Sequence, residues 1–150
     1  MVSKKLQEIG LTLPEIPKPV ASYVPARRTG NLIFVSGQLP LKDGKLILTG
    51  PMDNKNHTLE EAQEAMATCF LNGLAAAQTV SDIDVIQKVI RLAAFVASTP
   101  DFTDHHKVAN GASELARKIF GENGVHARAA FGVPSLPLGA TVELEIIFQL

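Results

Sequence analysis

Two segments of the chain carry apolar residues at the three- and four-residue intervals of an amphipathic helix. The first starts at Thr58, which has capping-box spacing with Glu61. The second runs from about Thr103 to Phe120, and Gly121 is placed to end it. The apolar positions are Leu59, Ala62, Met66, Cys69, Phe70, Gly73 and Ala77 in the first segment, and Val108, Ala112, Leu115 and Ile119 in the second. We therefore expect two helices, each with a single buried face.

A shorter helix and a proline-rich connector precede these segments. Ser3 is predicted to cap the helix KKLQEI, and Gly10 to end it. The connector LTLPEIPKPV contains three prolines, which favour an extended path. Residues 1–19 are therefore interpreted as a leader rather than a separate domain.

Strands are predicted in the rest of the chain. Residues 20–28 and 31–40 are expected to be strands joined near Thr29 and Gly30, followed by a hairpin that turns at Asp43 and Gly44. Residues 85–98 are apolar on both alternating faces, which is typical of a central strand. Residues 127–133 and 141–148 flank the turn Pro-Ser-Leu-Pro-Leu-Gly. A simple hairpin of these two strands would set Arg128 opposite a residue near Ile146.

The resulting order, β-β-(β)-α-β-α-β-β, predicts an α+β fold in one domain over residues 1–150. Its mixed sheet would carry the two helices on one face. The other face would expose apolar residues, including some of Ile33, Val35, Phe95 and Phe131. Because isolated monomers seldom expose so much apolar surface, we expect another subunit to cover this face.

Composition and missing motifs narrow the possible functions. The net charge is −1 and the basic residues are scattered, so a nucleic-acid partner is not expected. A single cysteine, Cys69, excludes an internal disulfide and is expected to be a buried thiol. No leader pattern or long apolar run is present, so we expect a cytoplasmic protein without membrane contact. No phosphate loop, GxSxG elbow or CxxC pair occurs, and the neighbours His105 and His106 cannot chelate one metal, so no cofactor or metal is predicted.

Arg128 is the main candidate for binding a ligand. It lies among small and apolar residues in HARAAFGVP, where a guanidinium loses hydration and needs a matching partner. Its paired donors fit a carboxylate with two parallel hydrogen bonds, so a small anionic carboxylate is one interpretation. A place on the solvent face of the sheet, or a structural pair with Glu143 or Glu145, is the other.

The chain resembles the RidA/YjgF family, also called the L-PSP endoribonuclease family. Arg128, then Leu136-Pro137, then Val-Glu-Leu-Glu at 142–145 are similar to the family's arginine, LP turn and V-E-I-E strand. Tyr23, Gly30-Asn31 and Ser36-Gly37-Gln38 resemble its amino-terminal elements, in order. The departures are the longer leader and His106, which stands where RidA-type members usually carry an asparagine. The chain is therefore interpreted as a divergent member.

The resemblance implies a chorismate-mutase-like homotrimer with clefts between subunits. It also implies hydrolysis of reactive 2-imino or 2-enamino acids to 2-keto acids and ammonia. Arg128 would bind the substrate carboxylate, Glu143 would polarise a water and move protons, and Tyr23 would orient the substrate. Ser36, Gly37, His106 and the carbonyl of Ala130 would line the cleft. Such a site is expected to combine residues of two chains.

Two alternatives to an imine hydrolase remain. A non-catalytic protein could use the same cleft to bind small keto or amino acids. The family's older name implies an endoribonuclease, which the near-neutral charge and the count of seven Phe and one Tyr make the weakest of the three. Glu143 and Glu145 alternate with apolar residues, so they could also simply form a wet sheet face.

Overall fold

Strands from both ends of the sequence form one twisted sheet, which helices cover on one side. The fold is a computed structural model that describes residues 1–16 and 21–150. The helices are α1 Val2–Glu8, α2 Leu59–Ala77 and α3 His105–Phe120. The strands are β1 Ala26–Thr29, β2 Leu32–Gln38, β3 Leu41–Lys42, β4 Lys45–Leu46, β5 Lys88–Ala97, β6 Ala127–Val133 and β7 Val142–Gln149. The architecture is α+β, as predicted.

The main sheet has the strand order β1-β2-β7-β5-β6. Its pairs are antiparallel except for β5 with β6, which are parallel and joined through α3. The continuous apolar strand β5 is central, as the sequence predicts. β3 and β4 form a separate hairpin whose turn residues Asp43 and Gly44 have φ values of 53° and 77°, the positive pair that a tight two-residue turn requires.

A hairpin of the last two strands is not formed. β5 lies between β6 and β7, because its unbroken apolar sequence can pair on both sides. Leu92 of β5 therefore faces Arg128 on one side and Ile146 on the other. Arg128 is level with Ile146, as in a hairpin, but one strand further away.

Helices α2 and α3 pack on the same face of the sheet and enclose the core. Alternate residues of the central strands point into it, including Leu92 and Val96 of β5 and Leu144 and Phe148 of β7, all fully buried. Ile33 and Val35 belong to this core, whereas Phe95 and Phe131 lie on the uncovered face and contact each other edge-on with ring centroids 5.0 Å apart. Of the four apolar residues named for the uncovered face, only the two phenylalanines lie there.

Thr58 and Glu61 form the predicted capping box of α2. Cys69 is a buried free thiol on the same helix, as expected, and burial raises its pKa well above the ordinary value. Gly121 ends α3 with a φ of 61°, a backbone conformation that glycine adopts readily. The apolar stripes of the sequence thus identify both long helices.

The amino-terminal prediction needs two corrections. Ser3 is not a cap but lies inside α1, where its hydroxyl and its backbone N–H donate to the Asp84 carboxylate at 2.6 and 2.8 Å. Because these bonds join α1 to the turn before β5, Ser3 attaches the leader to the domain. The first predicted strand begins only at Ala26, and residues 21–25 precede it as bends and irregular backbone. Val20 and the end of the proline-rich connector lie outside the described residues.

None of the helices in the described ranges is both long enough and apolar enough to cross a membrane.

Candidate active site

Arg128 lies on β6, which is an edge strand of the sheet. It pairs with the core residue Leu92, and Ala130 pairs with the core residue Ala94. Side chains paired across neighbouring strands share a face, so Arg128 and Ala130 both point to the side covered by α3. The guanidinium is nevertheless exposed, because it extends past the edge of the sheet along the helix.

Three acceptors on α3 hold the Arg128 guanidinium. One terminal nitrogen donates to Asn110 Oδ1 at 2.8 Å and to Ser113 Oγ at 3.1 Å, and the other donates to the backbone carbonyl of His106 at 3.2 Å. The residues 106, 110 and 113 follow helical spacing, so they present one polar stripe to β6. His106 therefore contacts Arg128 through its backbone, and its ring is exposed.

The positive charge of Arg128 has no carboxylate partner within residues 1–16 and 21–150. The ion pairs found there join other residues, and neither Glu143 nor Glu145 is paired with the guanidinium. All three of its acceptors are neutral, and its Nε has no hydrogen-bond partner in the described ranges. An exposed guanidinium that is fixed in place and keeps free donors has the geometry to bind an anion.

The acceptor Ser113 belongs to a longer chain of hydrogen bonds. Its Oγ lies 2.9 Å from His126 Nε2, and His126 Nδ1 lies 2.6 Å from the carbonyl oxygen of Gly124. Burial lowers the pKa of His126 below its ordinary value, and the charge of Arg128 lowers it further against the opposing effect of the Gly124 bond. The lowered pKa favours the neutral form of the His126 imidazole.

A second group of the predicted residues lies on the uncovered face. Glu143 of β7 pairs with Phe95, so its side chain points away from the helices. Its carboxylate lies over Gly37, where a Cβ would overlap Glu143 Oε1. Ser36 donates its hydroxyl to the carbonyl of Val24 at 2.6 Å, which holds the segment containing Tyr23 beside β2. Tyr23 itself is 58% exposed.

Glu143 has the electrostatic character of a group that exchanges protons. It is half-buried, and burial raises its pKa above the ordinary value. The neighbouring carboxylate Glu145, two residues along the same face, raises the pKa further. Such a carboxyl accepts a proton near neutral pH more readily than an ordinary glutamate does.

The two groups cannot meet within one copy of the chain. Glu143 and Arg128 are separated by β5, which amounts to about 10 Å across two strand spacings. Their side chains also point to opposite faces of the sheet, with the core on one side. The candidate residues of one copy therefore form two separate groups, which we call half-sites: Glu143 over Gly37, with Ser36 next in sequence and linked to the segment of Tyr23, and Arg128 with the His106 carbonyl and Ala130.

The carbonyl of Ala130 is directed to the free edge of the sheet. Val133 turns its carbonyl to β5, where it accepts from Ser98 N at 3.0 Å. Backbone groups of successive strand residues alternate in direction, so Ala130, three residues earlier, turns its carbonyl away from β5. Because β6 has no neighbouring strand on that side within residues 1–16 and 21–150, the carbonyl is available to a ligand or a partner.

Sequence reasoning missed Asn110, Ser113 and His126. The polar spacing of 106, 110 and 113 is visible beside the apolar stripe of α3 and could have indicated a second functional face. His126 had no such signal, because its contact with Ser113 depends on how α3 crosses the start of β6. No cluster of three or more His, Cys, Asp or Glu suited to a metal ion occurs in the parts of the chain that the structure describes.

Comparisons with known proteins agree with this fold. Residues 3–149 match the family described as "YjgF/chorismate mutase-like, putative endoribonuclease". Protein TCP17 of Trypanosoma cruzi is 40% identical over 151 residues, covering 99% of this chain and 94% of its own. A crystal structure of a protein of unknown function from Agrobacterium tumefaciens is 42% identical, with a TM-score of 0.87, over 99% of this chain and 91% of that one.

One relative carries the name of an enzyme. A 2-iminobutanoate/2-iminopropanoate deaminase of Dermatophagoides farinae is 28% identical, over 91% of this chain and 92% of its own length. Together, the sheet order and a family match over nearly the whole chain establish that the chain belongs to the YjgF/chorismate mutase-like family.

Proposed function

We propose that this protein hydrolyses reactive 2-imino or 2-enamino acids to 2-keto acids and ammonia. The observation that carries the proposal is Arg128, a guanidinium held by three neutral acceptors and without a carboxylate partner in the described residues. The deaminase name of one relative supports the same reaction class.

Arg128 is suited to bind the substrate carboxylate. Guanidinium presents five N–H donors, and three are used by α3, so Nε and one terminal N–H remain. A carboxylate bound there would be fixed in orientation as well as position. The outward carbonyl of Ala130, two residues along the same strand, is an acceptor for the iminium N–H.

Glu143 is suited to move the protons of the hydrolysis. The substrate reacts as its protonated imine, the iminium. A water polarised by the Glu143 carboxylate adds to the iminium carbon; the C–O bond forms and the C=N electron pair goes to nitrogen. Glu143 takes one proton from the water and returns it to that nitrogen. It then takes the hydroxyl proton as the carbonyl forms and the C–N bond breaks, and the released ammonia receives that proton. The products are a 2-keto acid and ammonium.

The proposed site needs a second copy of the chain. The half-site of Glu143 and the half-site of Arg128 are on opposite faces and two strands apart, so the Glu143 of one protomer would face the Arg128 of another. The free edge of β6 and the exposed phenylalanines of the uncovered face are surfaces that a second copy would cover. We infer a homotrimer with one cleft at each interface.

The direct test is the hydrolysis of 2-iminopropionate and 2-iminobutyrate generated in situ, followed as loss of imine against buffer. Wild-type protein should accelerate the loss, and Arg128→Ala should reduce the acceleration at least about 100-fold, because a bidentate, charge-assisted contact is removed. Arg117→Ala is the matched control, since Arg117 is an exposed arginine on α3 that pairs with Glu122. It should hydrolyse as wild type does.

The other outcomes separate the alternatives. No acceleration, with 2-oxobutyrate still raising the melting temperature of wild type and not of Arg128→Ala, would indicate a non-catalytic carboxylate-binding protein. Cleavage of RNA with a steep salt dependence, unaffected by Arg128→Ala, would instead favour the endoribonuclease of the family description.

A further inference from the structure

The hydrogen bonds behind Arg128 form a chain with a fixed direction. It starts at the Gly124 carbonyl, passes through His126 and Ser113, and ends at the guanidinium, with distances of 2.6, 2.9 and 3.1 Å. It joins three separate elements: the turn at residues 121–124, helix α3 and strand β6. The two contacts of His126 take no part in the proposed reaction itself.

The chemistry of each member determines where the protons lie. A carbonyl oxygen only accepts, so His126 Nδ1 carries its proton toward Gly124. In the neutral ring Nε2 is then bare and accepts the Ser113 hydroxyl proton. A guanidinium only donates, so the Ser113 oxygen offers a lone pair to Arg128. Every donor in this chain of hydrogen bonds has an acceptor. The Ser113 hydroxyl has one orientation that satisfies both His126 and Arg128.

We propose that Ser113 and His126 are positioning residues that hold the Arg128 guanidinium in the orientation that binds the substrate carboxylate. This inference rests on the proposed function. A serine hydroxyl without His126 could rotate and donate elsewhere, and Arg128 would then lose one of its three helix acceptors. With His126 in place, the lone pair of Ser113 stays directed at Arg128.

Burial and neighbouring charge support this assignment. Ser113 and His126 are half-buried, whereas Arg128 is exposed. The chain of hydrogen bonds therefore connects the packed interior to the exposed guanidinium. A protonated His126 would present an N–H to Ser113 and take away the acceptor of its hydroxyl proton. The lowered pKa of His126 keeps the ring in the neutral form that the chain requires.

The test compares Ser113→Ala with Ser113→Thr, which keeps the hydroxyl. Binding of 2-oxobutyrate is measured by calorimetry, and KM and kcat are measured with 2-iminobutyrate. We expect Ser113→Ala to weaken binding of 2-oxobutyrate and to raise KM about 5-fold, because the hydrogen bond from Arg128 to Ser113 is lost. The kcat of this variant should be nearly unchanged. Ser113→Thr should stay near wild type, and His126→Ala should weaken binding in the same direction as Ser113→Ala.

Thr68→Ala is the matched control, because its hydroxyl donates to the carbonyl of Glu64 within α2 and touches no part of the chain of hydrogen bonds behind Arg128. Unchanged Kd and KM in Ser113→Ala, with wild type binding normally, would overturn the positioning role and leave the proposed function intact. A kcat loss equal in Ser113→Ala and Ser113→Thr would also overturn it, because that pattern indicates packing. Wild type that neither binds 2-oxobutyrate nor hydrolyses imines would overturn both.

Discussion

The environment of Glu143 leads to a prediction about how the proposed activity depends on pH. Burial raises its pKa, and repulsion by Glu145 on the same strand raises it further. In the proposed role of base, Glu143 must be ionised, so kcat/KM should fall as the pH drops through this raised pKa. The acid limb of the profile thus reports a group on the uncovered face of the sheet.

Removing the neighbouring charge tests this cause. Glu145→Gln takes away one contribution that raises the pKa of Glu143, so the carboxylate persists to lower pH and the acid limb should move to lower pH. The midpoint of the acid limb should still lie above the pKa of an exposed glutamate, because burial is the larger cause of the raised pKa and remains in the variant. The measurement is kcat/KM, as acceleration over buffer, from about pH 4.5 to about pH 8, a range that spans raised carboxyl pKa values. The exposed Glu64→Gln is the control, and an equal movement of its acid limb would contradict the assignment.

Single residues could be predicted from the sequence where their chemistry is conspicuous in the local segment. A lone arginine in a small and apolar stretch stands out as a candidate for binding an anion or for a structural pair, and Arg128 is unpaired with carboxylates within the described ranges. Its acceptors Asn110 and Ser113 lie 18 and 15 residues earlier on a helix. Their spacing is visible in the sequence, but their partner is not, because the contact depends on the packing of α3 against β6.

At the scale of elements, the start of α2 can be tested alone. The Thr58 side chain accepts from the Glu61 backbone N–H at 3.1 Å, and the Glu61 carboxylate accepts from Thr58 N at 3.2 Å. Thr58→Ala removes the first of these and should lower the free energy of unfolding by about 1 kcal/mol. Urea unfolding at one fixed protein concentration measures it, because association would otherwise change the apparent stability.

The helix also offers a control for this change. Thr68→Ala replaces a threonine in the middle of α2, where alanine has the higher helix propensity and no cap is lost. It should be neutral or slightly stabilising. Equal stabilities of Thr58→Ala and Thr68→Ala would mean that the capping box contributes nothing to the folded state.

Helices, strands and turns could be predicted where the sequence pattern that specifies them lies within a few residues. The stripes of α2 and α3, the capping box and the turn at Asp43 and Gly44 are all set by neighbours within a few residues. The pairing of β6 is not, because the turn before β7 has the composition of a hairpin loop while the strand pairs in parallel with β5. Strand order depends on which apolar surfaces fit together across the sheet, and the local sequence does not encode that choice.

At the scale of the whole molecule, the uncovered face and the free edge argue for self-association. Phe34 and Phe131 are 43% and 47% exposed on that face, and one edge of the seven-residue strand β6 is unpaired in the part of the chain that the structure describes. Isolated proteins usually protect such an edge with charge, proline or a covering element. A second copy that covers the face and the edge would also bring together the two half-sites of the proposed cleft.

This arrangement predicts that two inactive variants restore activity when they are mixed. Arg128→Ala keeps the Glu143 half-site, and Glu143→Gln keeps the Arg128 half-site. In a closed ring of subunits an intact site requires one neighbour of each kind in the right order, so random mixing at equal amounts should restore about one quarter of the wild-type activity. The two variants are unfolded together, refolded and assayed with 2-iminobutyrate.

A second mixture of variants serves as the control for the restored activity. Arg128→Ala mixed with the double variant Arg128→Ala/Glu143→Gln has no intact Arg128 in any subunit, so it should remain inactive at every ratio. If the site lay within one chain, the first mixture would remain inactive as well, because no single chain would hold both residues. Restoration at about one quarter would therefore assign Arg128 and Glu143 of each site to different copies, whatever the number of subunits. The mass of the assembly in solution then decides whether the ring is the proposed trimer.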